Sequence, residues 1–195
     1  VPKPMAPIQS TPFLEIVINY WINQGIKRII LSVGYMSDII INHFGKSFKD
    51  ISIEYVDEVS PLGTGGALKN VLNKLIINDP FLVINGDTFF EVDLDSMTLF
   101  HFNNKSNWTF ALFNSRDSDR YMQFELSKTS RIVGLSKKSR RSSFFSNGGI
   151  YLISDKSIIT SYSTDKIRFS LEEDVITESI NKNNLFGFKV KDTFI

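Results

Sequence analysis

The sequence predicts an α/β fold: a Rossmann-like mixed, mostly parallel sheet flanked by helices, with a smaller antiparallel extension. Two observations predict it. Up to about residue 86, segments with apolar residues at helical spacing alternate with short runs rich in Ile and Val, which is typical of βαβ units. After about residue 105, strand-like runs follow one another with short connections, which favours antiparallel or mixed pairing. The length of 195 residues fits a single domain, 1–195.

The elements of the first half alternate in type along the chain. Helical spacing of apolar residues, bounded by a Thr-Pro start or by glycines, predicts helices at 11–25, 36–45 and 64–76. Short runs rich in β-branched residues predict strands at 27–34, 51–58 and 81–86. An open parallel sheet usually begins with a strand that leads into the ligand crevice, whereas this chain begins with a loop and a helix. The opening strand is therefore expected to precede Val1.

The second half has a different pattern. Runs typical of strands lie at 108–115, 121–127, 131–136 and 144–154, followed by a predicted helix at 169–180 and a last strand at 186–192. At the start of the predicted helix, Ser170 and Glu173 have the spacing of a capping box.

Composition excludes several classes of protein. The net charge is +1 with Lys and Arg scattered, so the chain has no large basic field for nucleic acid or a membrane surface. It has no Cys, which excludes disulfides and thiolate metal sites and fits a cytoplasmic protein. No apolar run reaches about 18 residues, the length that a membrane-spanning helix needs.

The run at 81–90 ends an apolar strand in Asn-Gly-Asp. At the carboxyl end of a parallel strand, Asp87 would face the crevice where ligands bind. One carboxylate together with phosphate oxygens is a common way of holding Mg²⁺. Asn-Gly between apolar runs is equally a hairpin signal, but the flanking helices favour the parallel strand.

Two further stretches have the character of phosphate-binding segments. Gly63, Gly65 and Gly66 lie just before an apolar helix, where glycines allow close backbone approach and a helix N-terminus favours anions. The pattern GxxxxGK[ST] is absent, and a plain loop with a helix cap is the alternative. Near the start, Pro4 biases Lys3 towards an extended conformation, which would place its ammonium at little entropic cost. An ordinary surface linker is the alternative for that segment.

Taken in order, these stretches resemble the sugar-1-phosphate nucleotidylyltransferases. The set comprises PKPMAPI, PFLE, PLGTGGAL, NGDTFFEVDL, the segment around Lys138, NGGIYLI and SLEEDVI, and it covers nearly the whole chain. Among subgroups, VPKPMAPI with LGTGGA most resembles the D-glycero-D-manno-heptose 1-phosphate guanylyltransferases. The resemblance implies a reaction in which a sugar 1-phosphate attacks the α-phosphorus of a nucleoside triphosphate, with Mg²⁺ as cofactor and pyrophosphate as the second product.

The resemblance also implies roles for individual residues. It assigns catalysis to Lys3 and Asp87, with Asp87 holding the metal. It assigns nucleotide binding to Gly63, Thr64, Gly65 and Gly86. It assigns contacts with the sugar phosphate to Lys138, Asn147, Gly148 and Glu172. A homo-oligomer is compatible with the family, although no residue decides it.

The sequence departs from the family pattern at several points. A GGxGTRL loop is expected before Val1, and a second metal aspartate in an Asp-x-Gly-Thr pattern is due just where the chain stops; Asp192 lies slightly early for it. The segment 1–195 is therefore expected to be the middle of a longer protein and inactive alone. Leu135 and Lys137 stand where the family has Phe and Glu, which makes the sugar-phosphate side more basic.

Two other functions remain open from the residues alone. Asp93 and Asp95 supply the letters of a DxD motif, by which glycosyltransferases with a related core bind a metal-diphosphate, but they fall several residues beyond the strand end. A non-catalytic module that binds a nucleotide or a sugar phosphate is the other alternative.

Glu58 lies five residues before Gly63, where this family places a residue that contacts the base. A carboxylate only accepts hydrogen bonds, so Glu58 suits the N1–H and N2–H donors of guanine and would repel a carbonyl of uracil or thymine. A solvent-facing loop glutamate is the alternative. We expect Glu58→Gln to weaken the preference for GTP over UTP, measured as the ratio of the two kcat/KM values. An unchanged ratio would reject base recognition by Glu58.

Overall fold

The computed structural model describes residues 1–115, 121–136 and 144–190. Its helices are α1 (Phe13–Asn23), α2 (Ser37–Phe44), α3 (Gly63–Lys74), α4 (Leu94–Asn103), α5 (Ser157–Thr160) and α6 (Thr177–Ser179), which continues a π-helix at Leu171–Ile176. Its strands are β1 (Pro7–Ile8), β2 (Thr11–Pro12), β3 (Arg28–Val33), β4 (Ser47–Phe48), β5 (Ile51–Asp57), β6 (Phe81–Ile84), β7 (Trp108–Ser115), β8 (Gln123–Leu126), β9 (Ile132–Leu135), β10 (Phe144–Ile153) and β11 (Leu185–Lys189). This arrangement confirms the predicted α/β class, and each predicted helix and strand is present to within a few residues.

The first half contains the predicted parallel unit. Strands β3 and β5 pair in parallel, from Arg28 opposite Ser52 to Val33 opposite Asp57, with α2 in the connection between them. The short β4 adds to β5 in the antiparallel sense. Apolar residues of α1, α2 and both parallel strands share one core cluster, including Leu14, Ile40 and Ile53.

The second half forms a six-stranded sheet in the order β11-β7-β10-β8-β9, with β6 also paired to β10. Strand β10 is antiparallel to β6, β7 and β8, while β11 is parallel to β7. Strands β6, β7 and β11 therefore run in one direction, and β10 runs against them. The antiparallel strands β8 and β9 extend the same sheet that contains β6, because the ten residues of β10 pair with three neighbours.

Strand β10 changes its partner partway along its length. Phe145 and Ser146 pair with β8, whereas the stretch from Ile150 to Ile153 pairs with β6. A bulge between Asn147 and Tyr151 separates the two stretches. Residues 147–149 therefore lie between the stretch paired with β8 and the stretch paired with β6, and the N–H of Asn85, just after β6, donates to the carbonyl of Gly149.

Asn85 and Gly86 do not form a hairpin. After β6 the chain turns at 86–87 and runs on to α4, and β6 takes its antiparallel partner from β10 instead. Within the described residues, β3 pairs only with β5 and β6 only with β10. All four residues of β6 are half-buried.

Two local predictions were wrong in detail. Lys3 is not extended: it begins a single 3-10 turn, in which the N–H groups of Met5 and Ala6 donate to the carbonyls of Pro2 and Lys3. These two bonds outweigh the bias against helical conformations before a proline.

The capping of the π-helix also differs from the predicted box. The hydroxyl of Ser170 accepts from the N–H of Glu173 as expected, but the carboxylate that reaches back to the N–H of Ser170 belongs to Asp174. The wider π-helical turn, with the N–H of Val175 bonded to the carbonyl of Ser170, moves the returning side chain one residue along.

His101 is a core residue of α4, only 1% exposed. Its two ring nitrogens lie 2.8 Å from Thr109 Oγ1 and 2.6 Å from Ser154 Oγ, so both are satisfied. His101 therefore has a packing role in the core. In the part of the chain that the structure describes, no helix has the length and apolar character needed to cross a membrane.

We expect His101 to make stability depend on pH. Burial lowers the pKa of its imidazole below the usual value of about 6.5, so the unfolded chain binds a proton that the folded protein resists. The contribution of His101 is therefore fully present above about pH 6.5 and is lost as pH falls towards the lower pKa of the folded state, at no more than about 1.4 kcal/mol per pH unit. His101→Gln removes this titration. Urea unfolding measured between about pH 5 and 7.5 should show that the free energy of unfolding changes less steeply with pH for the variant than for the parent protein. Equal pH dependence in the two proteins would mean that His101 does not contribute in this way.

Candidate active site

A cavity of about 620 Å³ lies where the partner of β10 changes. Its walls come from the end of β6, the start of β8, the end of β9, the bulge of β10, the start of α3 and the π-helix. The lining residues are Thr64, Asn85, Thr88, Tyr121, Met122, Gln123, Leu135, Ser136, Asn147, Gly148, Gly149, Ser170, Glu172 and Glu173. Most of the lining residues are of polar types, and Glu172 and Glu173 are the two that carry carboxylates.

The two glycines of the bulge allow the cavity to form. A Cβ on Gly148 would overlap the ring of Phe90, and a Cβ on Gly149 would lie 2.8 Å from Cγ of Asn85. Gly149 also has a φ of +72°, which side chains of L-residues rarely adopt. Glycine is therefore required at both positions so that β10 can bend and approach the loop after β6.

A chain of hydrogen bonds crosses the floor of the cavity. The N–H of Gly149 donates to Oδ1 of Asn147 (3.0 Å), and Nδ2 of Asn147 donates to the hydroxyl of Tyr151 (2.8 Å). That hydroxyl donates to Oε1 of Glu172 (2.8 Å). Because of the bulge, Asn147 and Tyr151, four residues apart on one strand, come within hydrogen-bonding distance.

The π-helix places Glu172 at the cavity. The other oxygen of Glu172, Oε2, accepts from Thr64 Oγ1 (2.7 Å) and Ser170 Oγ (3.0 Å). Three hydroxyl groups therefore donate to this one carboxylate. The start of the π-helix is fixed in turn by Asp174, whose carboxylate accepts from Lys166 (2.7 Å); this hydrogen bond lowers the pKa of Asp174.

The glycines at the start of α3 are explained by packing. Helix α3 begins at Gly63, so these glycines form its first turn and do not precede it. A Cβ on Gly65 would lie 2.6 Å from the ring of Phe169, and one on Gly63 would lie 2.5 Å from the Phe169 carbonyl oxygen. The N–H groups of Gly65 and Gly66 both donate to that carbonyl. Nucleotide binding by Gly63 and Gly65 stays a prediction, and this close packing accounts for glycine there without a ligand.

Glu58 lies at the carboxyl end of β5, beside β3. Its Oε1 accepts from Ser32 Oγ (2.9 Å) and its Oε2 accepts from the N–H of Leu62 (3.2 Å). The side chain is half-buried, so it is not a freely solvated loop glutamate. Each oxygen has a second lone pair, which leaves two acceptor positions for a ligand.

The segment around Lys3 lies against the loop after β6. A Cβ on Gly86 would be 3.9 Å from Cγ of Pro4, so the two predicted phosphate-side segments are neighbours. Lys3 and Asp87 are both exposed there. Among the described residues, the carboxylate of Asp87 accepts one hydrogen bond, from Thr88 Oγ1 at 3.4 Å, and Thr88 itself lines the cavity.

The predicted site residues fall into three groups. Thr64, Asn147, Gly148 and Glu172 line the cavity; Lys3, Gly86 and Asp87 lie at the loop after β6; and Glu58, Gly63 and Gly65 lie on the side of β5 and α3. Lys138 lies outside the described residues. No group of three or more His, Cys, Asp or Glu residues that could hold a metal occurs among those described. A single carboxylate such as that of Asp87 can hold a metal ion only if phosphate oxygens of a bound substrate supply further ligands.

Sequence reasoning missed several residues of the site. Asn85, Thr88 and Gln123 line the cavity, and Tyr151 lies beneath it. Asn85 and Thr88 flank the predicted Gly86–Asp87 pair, so the same strand-end argument could have found them. Tyr151 gave no signal because an aromatic residue inside an apolar strand normally belongs to the core.

Comparison with known proteins agrees with this arrangement. Residues 1–191 match the family described as "Nucleotidyl transferase". The D-glycero-alpha-D-manno-heptose 1-phosphate guanylyltransferase of Aneurinibacillus thermoaerophilus is 38% identical over 188 residues, covering 96% of this chain and 80% of that protein. The enzyme of the same name from Campylobacter jejuni is 40% identical over 173 residues, covering 89% and 75%.

Solved structures give the same result. The crystal structure of HddC from Yersinia pseudotuberculosis superposes with a TM-score of 0.83 at 31% identity, covering all of this chain and 84% of that one. A second structure of HddC, complexed with GMP-PN, has a TM-score of 0.82.

The fold and the polar cavity beside β6 define a nucleotide-transferring class of α/β enzyme. The chain belongs to the nucleotidyl transferase family. Members of this family generally use a divalent metal ion.

The bulge glycines lead to a prediction about stability. Gly149→Ala should lower the free energy of unfolding by about 1–2 kcal/mol for the positive φ, with a further loss because the Cβ displaces Asn85. Gly25→Ala is the matched control, since Gly25 has a φ of +91° with nothing within 4 Å of its Cβ position. Urea unfolding of both variants should show the larger loss for Gly149→Ala. Equal losses would mean that the contact with Asn85 is unimportant.

Proposed function

We propose that the protein makes a GDP-sugar, GDP-heptose, and pyrophosphate from GTP and a heptose 1-phosphate. A phosphate oxygen of the sugar 1-phosphate attacks the α-phosphorus of GTP. The bond from that phosphorus to the bridging oxygen breaks, and pyrophosphate leaves with the electron pair. Relatives named for this activity and a related structure holding GMP-PN support the choice of guanine.

The observation that carries the proposal is the position of the polar cavity. It lies at the carboxyl end of β6, beside the loop that holds Asp87, with the segment of Lys3 against the same loop. A sugar in the cavity would have its hydroxyl groups against Glu172 and Asn147, and its phosphate towards that loop. Lys138 is proposed for the sugar phosphate on the resemblance alone.

The exposed groups at the loop suit a phosphate chain. The ammonium of Lys3 would neutralise phosphate oxygens, which lowers the charge that repels an incoming phosphate nucleophile. The carboxylate of Asp87, which accepts a long hydrogen bond from Thr88, would hold Mg²⁺ together with those oxygens. Mg²⁺ supplies charge neutralisation at the reacting phosphates. The protein's own residues would hold the nucleophile and the α-phosphorus in line, and this positioning accounts for much of the catalysis in such a displacement.

The geometry of Glu58 supports base recognition by its carboxylate. Ser32 and the N–H of Leu62 fix both of its oxygens, so the side chain is held in place before a ligand arrives. A preorganised pair of acceptors suits the two donors on one edge of guanine. Nucleotide binding by Thr64, Gly63, Gly65 and Gly86 remains part of the proposal.

The structure provides an alternative role for the aspartates of the DxD motif. Asp93 is the N-cap of α4 and accepts from the N–H of Ser96 at 2.6 Å, and hydrogen bonds from Ser96 lower the pKa of its carboxyl group. Asp95 lies in the first turn of the same helix. Neither lines the cavity. A helix cap accounts for Asp93 without a metal-diphosphate ligand.

Pyrophosphate release by the full-length protein tests the proposal. The assay combines four nucleoside triphosphates with heptose, mannose and glucose 1-phosphates in the presence of Mg²⁺. GTP with a heptose 1-phosphate should give the highest kcat/KM. Turnover with another sugar would correct the substrate, and absence of turnover with every pair would reject the function.

Asp87→Asn should lower kcat by about a hundredfold or more, because loss of a metal-holding carboxylate removes several kcal/mol of charge stabilisation. Asp95→Asn is the matched control, an exposed aspartate changed in the same way on α4. It should retain the activity of the parent protein. If Asp95→Asn were the inactive variant, the DxD interpretation would replace ours.

A further inference from the structure

Tyr151 lies beneath the cavity and does not line it. Its side chain is fully buried, with 0% exposure, in the core formed by β7, β10 and the π-helix. It packs edge-on against Phe110, as an ordinary core aromatic would. Its hydroxyl, however, is the link between Asn147 and Glu172, two residues that do line the cavity.

In the series of hydrogen bonds from Gly149 to Glu172, the donor and the acceptor of each bond are determined by chemistry. The backbone N–H of Gly149 can only donate, so the oxygen of the Asn147 amide must face it and the nitrogen must face Tyr151. The amide nitrogen can only donate, so the hydroxyl of Tyr151 accepts there and directs its own hydrogen at Glu172.

The same logic holds at the other oxygen of Glu172. The N–H of Leu171 donates to Thr64 Oγ1 (2.9 Å), so the hydroxyl hydrogen of Thr64 is left for Oε2. Two backbone N–H groups thus fix the donors on both sides of one carboxylate. Counting the hydrogen bonds made within residues 1–115, 121–136 and 144–190, Glu172 retains a lone pair on Oε1, and Asn147 retains one N–H and one lone pair.

We propose that Tyr151 is a positioning residue, which holds the amide of Asn147 and the carboxylate of Glu172 in the orientation that receives the hydroxyl groups of the sugar. The inference rests on the proposed function, since it concerns the sugar-binding side of that reaction. Burial and the charge of Glu172 raise the pKa of Tyr151 well above its ordinary value, so its hydroxyl keeps the hydrogen that it donates.

Tyr151→Phe tests the proposal because it keeps the ring and removes only the hydroxyl. We expect the KM for the sugar 1-phosphate to rise about tenfold or more, with the KM for GTP unchanged. Tyr20→Phe is the matched control: the hydroxyl of Tyr20 also makes two hydrogen bonds, to the carbonyl and from the N–H of Val92, within a different core cluster. Tyr20→Phe should leave both KM values unchanged even if it destabilises the protein.

A double-mutant cycle separates positioning from stability. In a Glu172→Ala background, Tyr151→Phe should raise the KM for the sugar 1-phosphate by a smaller factor than it does in the parent protein, because one of the two groups that Tyr151 positions, the carboxylate, is gone and only the contact with Asn147 remains. An equally large effect in both backgrounds would overturn the proposal. So would equal changes in the two KM values, or loss of folded Tyr151→Phe protein under conditions where Tyr20→Phe folds.

These outcomes are distinct from failure of the proposed function. All of these measurements use the full-length protein, as in the pyrophosphate-release assay. If that protein without substitutions turns over no sugar 1-phosphate, the function is wrong. If the parent protein is active and Tyr151→Phe has the parent KM for the sugar 1-phosphate, the function stands and the positioning role of Tyr151 is wrong.

Discussion

The constraint on which the site depends is the pair of glycines in the middle of β10. A strand that carries side chains at both positions could not approach Phe90 and Asn85 as closely as this one does. The bend lets one strand pair with β8 on one side of the bulge and with β6 on the other. The gap between those two partners is the cavity, so the same two residues create both the sheet's irregularity and its binding crevice.

The carboxylate of Glu172 connects parts of the chain that are far apart in sequence. It receives hydrogen bonds from the start of α3, from β10 and from the residue that caps its own helix. Each donor is a hydroxyl, which is short or rigid enough to define the carboxylate's position. A site built on such contacts is formed before any ligand is present, which reduces the ordering that binding would otherwise require.

Much of the fold could be predicted from the sequence because its helices and strands have clear apolar periods. The β3–α2–β5 unit and the strands β7 to β10 follow directly from those patterns. Pairing of β6 with β10 could not be predicted, since alternation of elements does not say which distant strand becomes a neighbour. In the site, the family resemblance predicted Thr64, Asn147 and Gly148. It did not single out Tyr151, because an aromatic residue in an apolar strand is normally part of the core. The π-helix was also beyond prediction, because its hydrophobic residues fit an ordinary helix equally well.

The π-helical turn at Leu171–Ile176 makes this segment sensitive to chain length. A wide turn accommodates one more residue than an α-helical turn of the same span. Removal of a single residue there would restore a regular helix and rotate the side chains on one side of the deletion by about 100° relative to those on the other. Insertions and deletions of one residue, and not substitutions alone, can therefore redirect the acidic groups that this segment presents.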